Sequence, residues 1–337
     1  SEIGILEIER VELANGVTAL LWPNDAEPGR VAVNVHFGAG LRAFSEDDAP
    51  YISLGETALI STGMAGLDQE DLDRLVTGRK LGFDFTVDLG TFTFSSITRE
   101  ADLADQLYLF AAKLALPEWD ARPIARAKAG ARISYDTYAT SPGGLLNRDL
   151  ESAIRNGDAR FATPTPEMIA GTSAEGFRKV WEPLLQRGEI ELLIFGDFDR
   201  ATAIEALRNT FGALPPRAPV DPATLAPRPE APEAGGREVL YHRGDASQAA
   251  AVVAWPVGSG LDEVADSRQL EILSQIVMNR LFDEMRERTG ASYAPQTRVD
   301  WPTDDVGGGT MIALAQLKPE DVPKFYAASE AIVADLA

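Results

Sequence analysis

The sequence predicts an α/β protein built from two related modules, each a mainly antiparallel sheet with helices packed on one face. Three observations predict it. Alternating apolar runs such as Arg30-Val-Ala-Val-Asn-Val-His-Phe37 read as strands, and 3.6-periodic stretches such as Leu270, Leu273, Val277, Leu281 and Met285 read as helices. The order strand, strand, helix, strand, strand, helix occurs twice, which marks an internal duplication. A chain of 337 residues is also too long for one ordinary core, so two domains are expected.

In chain order, Val17–Trp22 and Arg30–Phe37 are the first strands. A helix over Pro50–Ser61 follows, with Ile52, Leu54, Leu59 and Ile60 as core candidates. Asp68–Thr77 reads as a short helix with an acidic start, which complements the helix dipole. Strands at Gly82–Asp88 and Thr91–Thr98 meet at Leu89-Gly90. Helical patterns cover Ala101–Ala115 and Pro117–Tyr135, and a Ser-Pro-Gly-Gly loop at Ser141 breaks them. The helix Ala174–Leu185, the strand Glu189–Phe195 and the helix Arg200–Phe211 close a first module over residues 1–213.

Leu214–Arg237 carries seven prolines and a Gly-Gly pair. Proline at that density cannot continue a helix or a central strand, so 214–237 is expected to be an extended, exposed linker. The second module, 238–337, is expected to start with strands Glu238–Tyr241 and Ala249–Trp255. A long helix over Asp262–Arg288, strands Tyr293–Trp301 and Gly309–Gln316 around a hairpin tip at Asp304–Gly309, and a helix from Pro319 complete the pattern. This copy stops where the first still has about 100 residues to run. The expectation is a module truncated at its C-terminus.

Composition narrows the function. The net charge is −21, from 52 acidic and 31 basic residues, which argues against a nucleic acid or an anionic membrane surface as partner. Basic peptides and simple solubility both remain compatible with it. With no cysteine there is no disulfide, thiolate metal site or cysteine nucleophile. No apolar run reaches the roughly 20 residues that span a bilayer. The start, SEIGILEIERVEL, lacks a signal-peptide pattern, so an export signal would lie upstream or have been removed.

His36 and His242 are the two histidines. Neither stands in a paired metal spacing or beside a G-x-S-x-G elbow, so both read as structural. The acidic runs at Ser45–Asp48 and Asp68–Asp71 sit at helix starts and lack the spacing of a calcium loop. Gly307-Gly308-Gly309 lies between two strands without the Lys-Ser/Thr of a phosphate loop.

The most informative segment is Asn279-Arg-Leu-Phe-Asp-Glu-Met-Arg-Glu-Arg-Thr-Gly-Ala-Ser-Tyr293. It reads as a helix end, a glycine stop and a strand start. Gly290 can take the left-handed conformation that ends a helix. A chain that then reverses lets Arg286, in the last helical turn, and Tyr293, at the strand start, face one space. Arginine offers a planar fork of donors to a peptide carbonyl, and a tyrosine hydroxyl can donate to an oxyanion. Asn279, Arg280, Glu284 and Arg288 read as solvated helix positions.

This segment closely resembles the second-half signature of the pitrilysin/insulinase zinc peptidases. Glu12–Asn24, Phe37–Arg42 and Asp68–Arg79 are similar to other parts of those modules. The resemblance extends over nearly the whole chain. It implies that Arg286 binds substrate and that Tyr293 binds substrate and acts catalytically as a carbonyl and oxyanion donor. Active members carry H-x-x-E-H on the first helix, with a second glutamate from a later one. Here the matching helix reads Leu54-Gly-Glu-Thr-Ala58, and Ile124–Tyr135 has no glutamate. The resemblance therefore implies a non-catalytic half with no metal ligand or cofactor of its own. Its partners would be a peptide substrate and a zinc-binding catalytic half, upstream in the same polypeptide or on a separate chain. The alternative is a non-enzymatic structural or interaction subunit on the same scaffold. Long bacterial relatives imply a periplasmic location; a cytoplasmic one is the alternative.

Overall fold

The computed structural model describes residues 2–3, 7–229, 235–289, 294–303 and 308–336. It has two compact units. One comprises 1–131 and 167–226, the other 132–166 and 227–337. Residues 132–166 thus group with the second unit, not the first as the linear reading expects. Most of the expected linker belongs to the first unit. Arg217 holds it there by donating to the carbonyls of Leu185 (2.7 Å) and Gly188 (2.8 Å), and the Gly188 amide donates to Ala218 O.

The first unit is built on a seven-stranded mixed sheet of β1 (Glu2–Ile3), β2 (Ile8–Glu12), β3 (Thr18–Pro23), β4 (Val31–Phe37), β5 (Asp84–Val87), β6 (Phe92–Thr98) and β7 (Ile190–Gly196). Its order is β1-β2-β3-β7-β4-β6-β5. All pairs are antiparallel except β3–β7, which is parallel. β7 therefore enters between β3 and β4, and those two strands never pair with each other. β2 escapes the sequence reading because Glu9, Arg10 and Glu12 interrupt its two apolar residues and make it look like a loop.

Helices α1 (Ala49–Ser61), α2 (Gln69–Leu75), α3 (Leu103–Ala115) and α4 (Ala121–Tyr138) follow the first strands. α7 (Ala174–Leu185) and α8 (Arg200–Asn209) flank β7. The core is aromatic. Trp181 of α7 is fully buried, 5.1 Å from Phe44 and 5.6 Å from both Phe85 and Phe92, and its indole donates to Tyr51 O at 2.9 Å. Its ring lies so close to α1 that a Cβ at Gly55 would fall 2.0 Å from it. Glycine at 55 is thus a packing requirement. The other sheet face is open: Trp22, Phe195 and Ile97, in register across β3, β7 and β6, are exposed.

The second unit has a three-stranded antiparallel sheet of β8 (Ala249–Val257), β9 (Gln296–Asp300) and β10 (Gly309–Leu317), in the order β8-β10-β9. The long α9 (Val264–Thr289) and α10 (Val322–Leu336) cover one face. Val277, Leu281 and Met285 pack there with Met311, Ala313, Ala315, Phe325 and Ile332. Side chains alternate along β9: Thr297 bonds Ser274 of α9, while on the opposite face Arg298 pairs with Glu151 of α5 (Pro142–Ala153) and Asp300 with Arg155 just beyond it. The short α6 (Pro166–Ala170) follows, where the chain returns to the first unit. The expected break at Ser141 is instead the start of α5. Ser141 caps it by accepting from the Gly144 amide at 3.0 Å, and Pro142 occupies the first turn, where its missing N–H costs nothing. The expected strand at Glu238–Tyr241 is absent; Val239, Leu240 and Tyr241 are exposed there. Residues 304–307 of the expected hairpin tip lie outside the described residues.

Candidate functional site

α9 positions Arg286. Met285, one residue earlier, is fully buried against the sheet and fixes the rotation of the helix, and Arg286 is exposed. Its side chain makes no hydrogen bond or ion pair with another described residue. Tyr293, with Gly290, Ala291 and Ser292, lies outside the described residues, and so does the side chain of Arg288. Of the other helix positions, Asn279 is exposed, Arg280 pairs with Asp335 at 2.5 Å, and Glu284 is half-buried.

What the structure does supply is the frame on both sides of the 290–293 connection. On the helix side, the Ser274 hydroxyl donates to Thr297 Oγ1 at 2.8 Å, and that hydroxyl donates back to Ser274 O at 3.1 Å, which ties α9 to β9. On the strand side, β9 is clamped by charge. Arg155 of the second unit is nearly buried, bonded to Glu151 at 2.5 Å and Asp300 at 3.1 Å, and lies 4.4 Å above the Phe161 ring. Glu151 also pairs with Arg298. Burial pushes the Glu151 carboxyl up, but Arg298 and Arg155 outweigh it and hold the group below its ordinary value. This clamp was not legible in the sequence, because its partners stand 145 residues apart.

In the first unit lie the positions that the resemblance sets against metal ligands. Leu54 and Ala58 of α1 are 1% and 0% exposed, sealed in the apolar core. Neither offers a lone pair, so these residues do not fit a zinc ion. Glu56, on the same helix, keeps contact with solvent and accepts from the Val87 amide at 3.3 Å. Crowding by β5 raises its carboxyl above the ordinary range, the amide opposes this, and Asp88 adds to it. His36 Nδ1 lies 3.3 Å from the Thr93 hydroxyl, whose one proton goes to Asp88 at 3.0 Å; the imidazole N–H therefore donates to Thr93. His242 accepts from the Gly244 amide and donates to Gln248 O. No group of three or more His, Cys, Asp or Glu side chains among the described residues could hold a metal ion.

The family comparison decides the assignment. Residues 173–337 match the model described as the peptidase M16 inactive domain. Over those residues the chain belongs to the peptidase M16 family. It carries the M16 fold: the periplasmic protease PqqL from Escherichia coli superposes with a TM-score of 0.78 at 14% identity, over 97% of this chain and 36% of that one. The ferredoxin protease FusC, solved as a mutant in complex with Arabidopsis ferredoxin, gives 0.75 at 15%, over 100% and 36%. A peptidase M16 inactive domain from Pseudomonas fluorescens gives 0.76 at 19%, over 98% and 79%. No curated protein matches the sequence. This M16 chain thus spans about a third of the length of the two proteases, and the inactive-domain match fits a non-catalytic half of a peptidase with no catalytic cofactor of its own. No helix among the described residues is long and apolar enough to cross a membrane.

Proposed function

We propose that this M16 chain is the substrate-gripping half of a zinc endopeptidase and supplies Arg286 and Tyr293 to a catalytic half. The observation that carries the reading is the Arg286–Gly290–Tyr293 segment inside a matched inactive domain, in a chain whose own motif positions, Leu54 and Ala58, are apolar and buried. Arg286 would donate to a carbonyl of the bound peptide. The Tyr293 hydroxyl would donate to the oxyanion that forms when water adds to the scissile amide. The zinc belongs to the other half, and this chain contributes only hydrogen bonds. The partner half would lie upstream in the same polypeptide or on a second chain. The periplasm is the proposed compartment, by likeness to PqqL.

The test uses the assembled enzyme and a quenched peptide. Tyr293→Phe removes one donor made for the transition state, so kcat should fall by roughly 10²- to 10³-fold with little change in KM. Arg286→Ala should raise KM as well, and neither change should alter the zinc content. Wild-type turnover in Tyr293→Phe would leave the tyrosine a packing residue and favour a structural or interaction subunit instead.

A further inference from the structure

The uncovered face of the seven-stranded sheet is ordered by its chemistry. Side chains alternate along a strand, so Leu21, Ile194 and Val33 are buried on the helix side and their neighbours face outward. Register sets the outward residues of β3, β7, β4 and β6 in rows. The first row is Trp22, Phe195, Ala32 and Ile97, apolar throughout. The second is Leu20, Leu193, Asn34 and Ser95, apolar on two strands and polar on two. The third is Thr18, Glu191, His36 and Thr93, polar throughout. Glu12 of β2 continues the third row beyond Thr18, and at the other end the Thr93 hydroxyl donates to Asp88.

Single exposed apolar side chains are ordinary, but a row of them in register is a surface. Trp22 and Phe195 stand opposite each other on neighbouring strands, 38% and 40% exposed, and Ile97 is 38% exposed beyond the small Ala32. The polar end is acidic. Glu12 and Glu191 flank Thr18, both exposed, and neither side chain has a hydrogen-bond or ion-pair partner among the described residues. Arg10, opposite Leu20, is the cation on this side of the sheet, and it lies in the second row. The face thus runs from an aromatic end to two carboxylates that lack a cation.

We propose that this face binds an extended peptide that carries an aromatic or large aliphatic side chain and a lysine or arginine four positions apart. Phe195 and Glu191 mark the spacing: the first and third rows lie four residues apart on each strand, about 13 Å at roughly 3.3 Å per residue. An extended chain lying along the strands presents positions i and i+4 to one side at the same separation. The apolar side chain leaves water against Trp22, Phe195 and Ile97. The cation settles over Thr18, between Glu12 and Glu191, and supplies the charge that the sheet itself does not. A second copy of the chain lacks this complementarity, because each copy carries a net charge of −21 and offers carboxylates to carboxylates. The inference rests on the reading above only in taking a peptide as ligand, and it gives no role to Arg286 or Tyr293.

The experiment measures binding to residues 1–337 by fluorescence anisotropy. The probes are labelled Gly/Ser peptides of about nine residues, one with Phe and Arg four positions apart and one with Phe and Glu in the same places. The Phe/Arg peptide should bind about tenfold more tightly than the Phe/Glu peptide. Glu191→Lys should weaken the Phe/Arg peptide by about three- to tenfold and strengthen the Phe/Glu peptide, a reversal that loss of folding does not produce. Trp22→Ser with Phe195→Ser should weaken both peptides by about tenfold. No binding of either peptide, equal affinity for the two, or an unchanged preference in Glu191→Lys would overturn the proposal. A dimer in sedimentation that Trp22→Ser with Phe195→Ser dissolves would also overturn it, in favour of a second copy on this face. Loss of binding in Arg286→Ala together with wild-type binding in Glu191→Lys would overturn it as well, and would leave the role proposed for Arg286 standing.

Discussion

The first unit buries its module helix from two sides and the second from one. α1 is 13 residues long and has both the sheet and Trp181 against it; α9 is 26 residues long and, among its described residues, buries Ser274 and the sheet-facing Val277, Leu281 and Met285. The strands beneath them have the same order. A helix sequence of this kind therefore does not set its own burial; the strand and helix that enter beside it do. The comparison also separates two jobs. In the first unit Leu54 and Ala58, the positions that the resemblance sets against metal ligands, are sealed in the core. The second keeps a cation, Arg286, exposed at the end of a helix whose partner strand is fastened by ion pairs.

The comparison can be broken most directly at its packing. Trp181→Ala removes the largest fully buried side chain of the first unit and should cost roughly 3–5 kcal/mol. Ile272→Ala, on the open side of α9, should stay within about 0.5 kcal/mol in residues 1–337. Urea denaturation of the two variants measures the contrast, and equal losses would erase the distinction drawn between the helices.

A smaller effect is expected from the β9 clamp. Arg155→Ala leaves Glu151 and Asp300 short of a partner, but both carboxylates are about two-fifths exposed and water can compensate in part. The loss should be about 1–3 kcal/mol. It should appear as faster hydrogen exchange in β9 while β4 and β6 of the first unit are unchanged. Uniform acceleration throughout the chain would show that the clamp is not local.

A further contrast concerns pH. Lys113, wholly buried in α3, donates to Thr62 O and Thr62 Oγ1, both at 2.6 Å, and to Gly63 O at 3.3 Å, at the C-terminal end of α1. Burial lowers its pKa to about 7, with Glu118 opposing. The three acceptors satisfy the ammonium, but desolvation still outweighs what favours the charged form. The folded value lies below the unfolded one. Between about pH 7 and the ordinary lysine range the unfolded chain therefore binds the extra proton, and stability should rise with pH across that window. Lys113→Met should flatten this slope in thermal melts from about pH 7 to 10. An unchanged slope would assign it to other groups.

Much of this was legible in local sequence. Strands with clear alternation, such as β4 and β6, and helices with a clear stripe, such as α1 and α9, declare themselves because period 2 and period 3.6 are properties of a dozen neighbouring residues. Arg286 stands out in the same local way, by residue type and spacing, and the structure shows it exposed on α9. What failed did so for identifiable reasons. The Ser141-Pro-Gly-Gly144 stretch contains both stop and start signals, and its capping hydrogen bond decides for a helix. Val239-Leu240-Tyr241 has strand composition but no described strand beside it, and a strand exists only as one member of a pair.

The sequence by itself determined the α/β class, most strands and helices of both units, the apolar residues at Leu54 and Ala58, and the Arg286-to-Tyr293 pattern, since each is written in contiguous residues. Tertiary structure alone decided that residues 132–166 join the second unit, that β7 inserts between β3 and β4, that Arg155 clamps β9, and that one side of α9 stays open. Those outcomes depend on which distant segments meet. Pairing and burial energies between residues more than a hundred positions apart leave no periodic trace along the chain.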